Sequence, residues 1–470
     1  MQVILAGYNV DLDQLKDLIG NKALELTPEV FSAAYARISR SPKSIPELRK
    51  IARREIANAR DQNRRIIFEM GHHSIAEHAV FNFDIMDISR FCVEDLESHR
   101  LMSFTEASQR YIRWHSKFII PEEIRKTQLL KSFLDTIKMQ IEGYNLLAEK
   151  LKPFETHLAK PIEDARYVTP LAMATQLGVT MNARNLELVI RRCASSNIQE
   201  VRVLGKKLFD CAVRVAPSIL LFYEKTDYDS KTYEELTHLH KKFLKSKKQP
   251  ESDSLCKLVD YTKDADDKLI ATLIHKTSNF SFQTAWKETV KLNEKQKLEV
   301  IKSTFKYANF YDTTLREFEH IYLTFELILS AACFAQLKRH RMATITVQSY
   351  DPNLGVTVPE SIKSIKQIAL FNKIIETTEK TYDKLYRKLP HIAPYILTQA
   401  HRRRVLLTVN IRELYHIARL RMDQTAQWDI RQLATSMVEQ AQKVAPISLT
   451  FCCAKDQYET VSNKYFLGQP

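Results

Sequence analysis

Ser98-His-Arg-Leu-Met-Ser-Phe-Thr-Glu-Ala-Ser-Gln-Arg-Tyr111 crowds Ser103, Glu106, Ser108, Arg110 and Tyr111 into the tail of one short segment. An arginine offers a planar fork to a phosphate or carboxylate, and serine hydroxyls can satisfy the remaining oxygens. Taken alone, the same residues also describe the solvated polar end of a helix. The segment's start, however, has a counterpart elsewhere. Glu77-His78 precedes His99-Arg100 by about the interval at which Glu319-His320 precedes His340-Arg341. Thr180-Met-Asn-Ala-Arg184 returns as Thr408-Val-Asn-Ile-Arg412, and Val215-Ala-Pro-Ser218 as Val444-Ala-Pro446 with Ser448 nearby. Landmarks in one order at a nearly constant offset identify a tandem duplication.

The repeat sets the organisation: a first copy over residues 1–225, a basic polar linker over 226–255 containing Lys241-Lys-Phe-Leu-Lys-Ser-Lys-Lys-Gln-Pro250, and a second copy over 256–470. The 44% hydrophobic content is that of a folded chain, and only 8 glycines disfavour sandwiches and Gly-rich nucleotide loops. No basic start followed by a long apolar core opens the sequence. The most apolar stretch, Leu323 to Leu337, is interrupted by Glu326 and Gln336 and is too short to span a bilayer. A cytoplasmic protein is expected. Its seven cysteines show no metal-finger spacing and fit reduced, mostly buried thiols. The net charge of +14 favours anionic partners, whether nucleotides, folates or RNA, without choosing among them.

Local patterns predict mixed structure. Ser44, with Pro46 behind it, caps a helix expected from Ile45 to Met70 and carrying Leu48, Ile51 and Ile56. Ala79 to Met86 alternates as a strand does. Phe91 to Arg100, its counterpart Leu327 to Arg341, Asn185 to Arg192 and Ile411 to Arg421 read as helices. Helices and strands without regular βαβ alternation indicate the α+β class.

The ordered residues His99, Arg100, Ser103, Glu106, Ser108, Arg110 and Tyr111 resemble the signature of the flavin-dependent thymidylate synthases, Arg-His-Arg-x-x-Ser-x-Asn-Glu-x-Ser-x-Arg-Tyr. Ser98 and Thr105 depart from it. Gly71-His-His-Ser-Ile-Ala-Glu-His78 is similar to a second element of that family. His73 and His78 could pass for metal ligands, but no carboxylate or cysteine stands at ligand spacing, and no metal is expected. In the second copy Gln336-Leu-Lys-Arg-His-Arg341 matches the start of the signature, whereas Val347 and Asp351 replace its Glu and late Arg. Asn410-Ile-Arg412 and Leu420-Arg421-Met-Asp-Gln-Thr-Ala-Gln-Trp428 resemble later elements. The first copy has Cys193 where Arg421 stands, and the second has Pro394 where the first has Arg166.

The losses are complementary. Nucleotide sites of the family are shared between subunits, so Gln336, Arg339 and Arg421 of one copy with Glu106, Ser108, Gln109, Arg110 and Arg166 of the other make one complete set. The reciprocal set joins Asp95, Ser98 and Cys193 to Val347, Asp351 and Pro394, which offers acids where a phosphate needs cations. The resemblance places Arg339, His340, Arg341, Asn410, Arg412 and His416 around FAD, with Ser74 and Glu106 from the other copy. It implies two tandem copies of that fold and methylation of dUMP to dTMP by methylenetetrahydrofolate, with NADPH as reductant. Arg421 would stabilise charge developing on the pyrimidine ring, and no cysteine nucleophile is required. It also implies a homodimer that reproduces a four-domain tetramer. Two other readings stay open: another uracil substrate, in a modified nucleotide or RNA, and a non-catalytic flavin- or nucleotide-binding scaffold.

Overall fold

A computed structural model of the chain describes residues 1–13, 15, 25–156, 161–244 and 254–467. Among these residues the strands form two antiparallel sheets. The first contains β1 (Gln2–Tyr8), β2 (Val80–Ser89), β3 (Ser103–Glu106) and β4 (Ala174–Asn182) in the order β1-β2-β4-β3. The second contains β5 (Cys256–Tyr261), β6 (Tyr322–Ser330), β7 (Thr344–Tyr350) and β8 (Arg402–Asn410) in the order β5-β6-β8-β7. Register is shared as well as order. Val80 pairs with Asn182 as Tyr322 pairs with Asn410, and Ser103 pairs with Thr180 as Thr344 pairs with Thr408. The sequence repeat is therefore a repeat of an α+β fold.

Alternation builds each core. Phe81, Phe83 and Ile85 of β2 meet Leu177, Val179 and Met181 of β4 in one cluster, and Leu323, Phe325 and Leu327 meet Val405, Leu407 and Val409 in the other. Each such side chain contributes about 1.5–3 kcal/mol on full burial. Helices leave both sheets through matched caps. Ser89 and Ser330 accept from the backbone N–H of Cys92 and Cys333, starting the helices Arg90–Leu96 and Ala331–Leu337. Asn182 and Asn410 accept from the N–H of Asn185 and Glu413, starting Ala183–Ser195 and Ile411–Arg421. The expected Ser44 cap is present: the Glu47 carboxylate accepts from the Ser44 backbone N–H at 2.9 Å and from its hydroxyl at 2.7 Å.

Three helix expectations are corrected. The helix expected from Ile45 to Met70 breaks at Glu55 into Ile45–Arg54 and Ile56–Arg64, and the one expected over Phe91 to Arg100 is confined to Arg90–Leu96. Leu327 to Ser330 is the end of β6 rather than the start of a helix, which occupies only Ala331–Leu337. The last four residues of β6 are all buried, so the period-2 alternation disappears where the apolar run passes from strand to helix. Within the stretch read as linker, Asp227–Phe243 is an α-helix capped by Thr226; residues 245–253, which carry most of the basic run, lie outside the described residues.

The chain divides into two compact units that do not follow the repeat strictly. Unit 1 comprises Met1–Ile141, Pro170–Gln249 and Glu376–Leu397; unit 2 comprises Glu142–Thr169, Pro250–Ile375 and Thr398–Pro470. Each copy thus gives one segment to the other's unit, and Arg166 belongs with the second sheet. All seven cysteines are free, five of them buried. Among the described residues no helix is long and apolar enough to cross a membrane.

Candidate active site

Unit 2 gathers Arg166, Gln336, Arg339, His340 and Arg421. Gln336 lies at the end of Ala331–Leu337 and Arg421 closes Ile411–Arg421, two helices anchored by the caps of β6 and β8. His340 is 3% exposed and links them: Arg421 Nε donates to His340 Nε2 at 2.9 Å, and His340 Nδ1 faces Glu413 Oε1 at 3.1 Å. A guanidinium can only donate, so Nε2 is the bare nitrogen and Nδ1 carries the proton. Burial pulls the imidazole below its usual value, Arg421 and His416 act the same way, and Glu413 opposes them.

A second chain of hydrogen bonds supports Gln336. Its Nε2 donates to Gln427 Oε1 at 3.2 Å, Gln427 Nε2 donates to the Tyr167 hydroxyl at 3.0 Å, and Tyr167 donates to Asp429 Oδ2 at 2.9 Å. Ser330 also donates to Asp429 Oδ2, at 2.6 Å. Tyr167 stacks on Trp428, whose indole N–H donates to Asp164 at 2.7 Å. Arg166, next to Tyr167, is buried and donates through Nε to the Glu163 carbonyl. Burial pushes the Asp429 carboxyl up, against the pull of those hydroxyls and of the Arg166 and Arg402 charges. Unit 1 contains the same frame without the amides. Tyr395 and Ser89 each donate to Glu200 Oε2 at 2.6 Å, while Ile198, Asp95, Cys193 and Pro394 stand at the places of Gln427, Gln336, Arg421 and Arg166.

A cavity of about 230 Å³ in unit 2 is lined by Asn410, Arg412 and His416, together with Glu319, Met342 and Arg419. Arg412 is held there by Glu319 at 2.7 Å and by the Thr314 carbonyl at 2.8 Å. The same ion pair joins Arg184 to Glu77 in the first copy, so its duty is partly architectural. Arg339 and Arg341 are exposed on either side of buried His340. A cavity with amide, guanidinium and imidazole walls is chemically suited to an anionic cofactor with a heteroaromatic ring such as FAD.

The signature segment of the first copy lies in unit 1. Ser108 and Gln109 line a cavity of about 270 Å³ with Arg113, Trp114, His115 and Lys117. Gln109 is buried and donates to the Met173 sulfur at 3.0 Å. The Ser108 hydroxyl accepts from the Arg110 backbone N–H at 3.2 Å, and the Arg110 guanidinium lies over the Tyr111 ring. Glu106 is buried in an ion pair with Arg90, itself buried. Burial pulls Arg90 down, and Glu106 and Glu97 more than offset it. Ser74 is exposed in the 3-10 turn His73–His78, where the candidate metal histidines make ring contacts instead: His73 with Phe68 and His78 with Tyr35. Among the described residues no group of three or more metal-ligating side chains is assembled.

Sequence reasoning missed Glu413, Gln427, Tyr167 and Asp429. Gln427 stands inside the quoted Ala-Gln-Trp element, and Asp429 directly follows it, so their positions carried a signal. Their partners lie too far along the chain for spacing to reveal them.

Two repeats of one register, with Arg166, Gln336 and Arg421 together in unit 2, define a tandem-duplicated α+β enzyme. The chain belongs to the thymidylate synthase complementing protein family, whose model matches residues 23–218 and again 257–447. It is 33% identical over 215 residues to a flavin-dependent thymidylate synthase of Clostridium tetani, covering 43% of this chain and 85% of that protein. A UPF0159 protein of Chlamydia muridarum is 23% identical over 438 residues, covering 86% of this chain and 83% of its own length. Among solved structures, a Helicobacter pylori flavin-dependent thymidylate synthase in complex with FAD and dUMP is 21% identical, with a TM-score of 0.33, over 48% of this chain and 100% of its own.

Proposed function

We propose that this chain converts dUMP to dTMP with methylenetetrahydrofolate, FAD and NADPH. The reaction replaces the hydrogen on C5 of the uracil ring with a methyl group. FAD, when bound and reduced by NADPH, supplies the electron pair that turns the transferred one-carbon unit into a methyl group. The observation that carries this reading is the contrast between the units: Arg166, Gln336 and Arg421 occur together in unit 2, whereas unit 1 has Pro394, Asp95 and Cys193 at the equivalent places. Decay without function would not retain one coherent set.

The residues divide the labour. Arg421, its Nε committed to His340, presents its terminal nitrogens to a ring carbonyl and stabilises negative charge there. Gln336 and Arg339 lie close to the substrate, and Arg166 holds its phosphate or sugar end. Asn410, Arg412 and His416 hold the flavin, with Arg339, His340 and Arg341 beside it. The resemblance assigns Ser74, Glu106, Ser108, Gln109 and Arg110 to the same ligands. A homodimer would supply the four domains that the family's tetramer uses, and seven free cysteines suit a reducing cytoplasm.

Tritium release tests the reading. Purified protein with FAD, methylenetetrahydrofolate and NADPH should release tritium from C5-labelled dUMP and form dTMP. An FAD-loaded protein that releases none would exclude dUMP as substrate.

A further inference from the structure

Asp227–Phe243 is a helix of 17 residues in unit 1, and none of them is buried. Thr226 caps its start, where Asp229 accepts from Arg191 Nε at 2.8 Å and Glu234 from the Asn197 amide at 3.4 Å. From Tyr233 to Leu244 every residue is exposed. The helix that follows the second Val-Ala-Pro landmark behaves differently. Tyr458–Phe466 turns Tyr465 and Phe466 onto the buried Phe451, with ring centroids 5.2 and 5.6 Å apart. One copy uses this helix to cover its own core; the other leaves it uncovered.

The exposed residues are patterned. Leu236 and Phe243 stand one heptad apart, as do Thr232 and Leu239, so the four share one face as a and d residues do. Leu236 is 52% exposed and Phe243 69%. An apolar seam of this kind stabilises a helix chiefly by packing on a second helix. Glu235 and Lys242 stand a heptad apart on one flank of the seam, and Tyr233 and His240 on the other. Charge also divides along the axis. Asp227, Asp229, Glu234 and Glu235 lie in the first half, and His238, His240, Lys241 and Lys242 in the second; Lys231 of the first half is paired with Asp227 at 2.9 Å.

We propose that Asp227–Phe243 is a self-association seam, on which the same helix of a second copy of this chain packs antiparallel about a two-fold axis. The acidic half of each helix then lies against the basic half of the other, and their dipoles oppose. With the axis midway between Leu236 and Leu239, Leu236 meets the partner's Leu239 and Phe243 meets the partner's Thr232. Glu235 lies beside the partner's Lys242, twice over by symmetry. A parallel pair would instead set Lys241 and Lys242 of both copies side by side, with like dipoles aligned. The seam requires nothing of the reaction proposed above.

Sedimentation velocity of the full-length protein over a concentration series tests the seam. The wild type should associate reversibly, and Leu236→Lys combined with Leu239→Lys should raise the dissociation constant by on the order of tenfold or more. Glu235→Lys alone and Lys242→Glu alone each set like charges face to face, and at low salt each should weaken association by about fivefold or more. Both reversals in one chain, or an equal mixture of the two single variants, put opposite charges across the seam again and should recover most of the loss. All four positions are exposed, so circular dichroism should match the wild type; if the double lysine variant misfolds, the charge reversals decide. A wild type that stays monomeric at every concentration overturns the inference. So does association unchanged in the folded Leu236→Lys, Leu239→Lys variant, or charge reversals that do not rescue each other. The readout is mass rather than turnover, so its failure is distinct from a failure to convert dUMP.

Discussion

Arg421 Nε lies 2.9 Å from Nε2 of His340, whose other nitrogen is 3.1 Å from Glu413. The pairing makes a buried neutral histidine the bearing on which a cationic arginine is aimed. It also explains why Arg421 and not a lysine stands here, since an ammonium has no separate Nε to give to the support while its terminal nitrogens serve a ligand.

Arg421→Lys should therefore lose at least about a hundredfold in kcat/KM for dUMP, roughly the 2.7 kcal/mol or more that a lost oxyanion donor costs. Cys193→Ala, at the equivalent place in unit 1, should retain turnover and cost about 1 kcal/mol of stability from its buried site. Steady-state kinetics and urea denaturation separate the two effects. An inactive but folded Cys193→Ala enzyme would contradict the assignment of the working set to Arg421.

Protonating His340 would turn its Nε2 into a donor facing the Arg421 donor. Because burial depresses its folded value below the ordinary 6.5, the unfolded chain takes up this proton first as pH falls. The stability contributed by neutral His340 is thus full above about pH 6.5 and is lost as pH drops from there toward the lower folded value. Activity should decline over the lower part of the same window. His340→Gln, which offers a non-titrating acceptor, should flatten that acid limb in kcat/KM profiles. A limb unchanged in His340→Gln assigns the titration to another group.

Much of this architecture was legible because it depends on local rules. The Ser44 cap, the alternation of Ala79 to Met86 and the helix Ile411–Arg421 follow from neighbouring residues, and the repeat follows from landmarks that need no structure. The end of β6 was misread because burial on both faces erases its period. The exchange of Glu142–Thr169 and Glu376–Leu397 between units had no local signature, since it is fixed by contacts such as Gln399 Nε2 with Thr169 and Gln140 Nε2 with Thr378. Glu413, within the helix Ile411–Arg421, and Gln427, the N-cap of Trp428–Gln442, were missed because their roles emerge only when distant partners stand beside them.

Gly205 marks a close approach of two helices of unit 1. A Cβ added there would stand 2.4 Å from the Cys193 Cβ and 3.3 Å from the Ile190 carbonyl oxygen. Neither obstacle is the far end of a flexible side chain, so Ala183–Ser195 and Gln199–Ala212 would have to separate. Gly205→Ala should destabilise the protein by about 1–3 kcal/mol despite the better helix propensity of alanine. A lowered urea midpoint with little change in dUMP affinity is expected.

Glu106 offers the sharpest separation of structural from ligand-binding duty. The resemblance gives it to substrate and flavin, yet its carboxylate is buried against Arg90, which is buried too. Replacing one member of such a pair leaves an uncompensated charge, at a cost of about 3–5 kcal/mol, whereas replacing both with apolar residues can be nearly neutral. Glu106→Gln should therefore lower Tm strongly, and Arg90→Met should do likewise. Arg90→Met combined with Glu106→Leu should recover much of the loss, with a favourable coupling energy in the double-mutant cycle. If the recovered double variant binds dUMP as the wild type does, Glu106 serves the fold alone. If it folds and binds no nucleotide, the carboxylate is needed for the ligand as well, and the ion pair with Arg90 is the state that ligand binding must open.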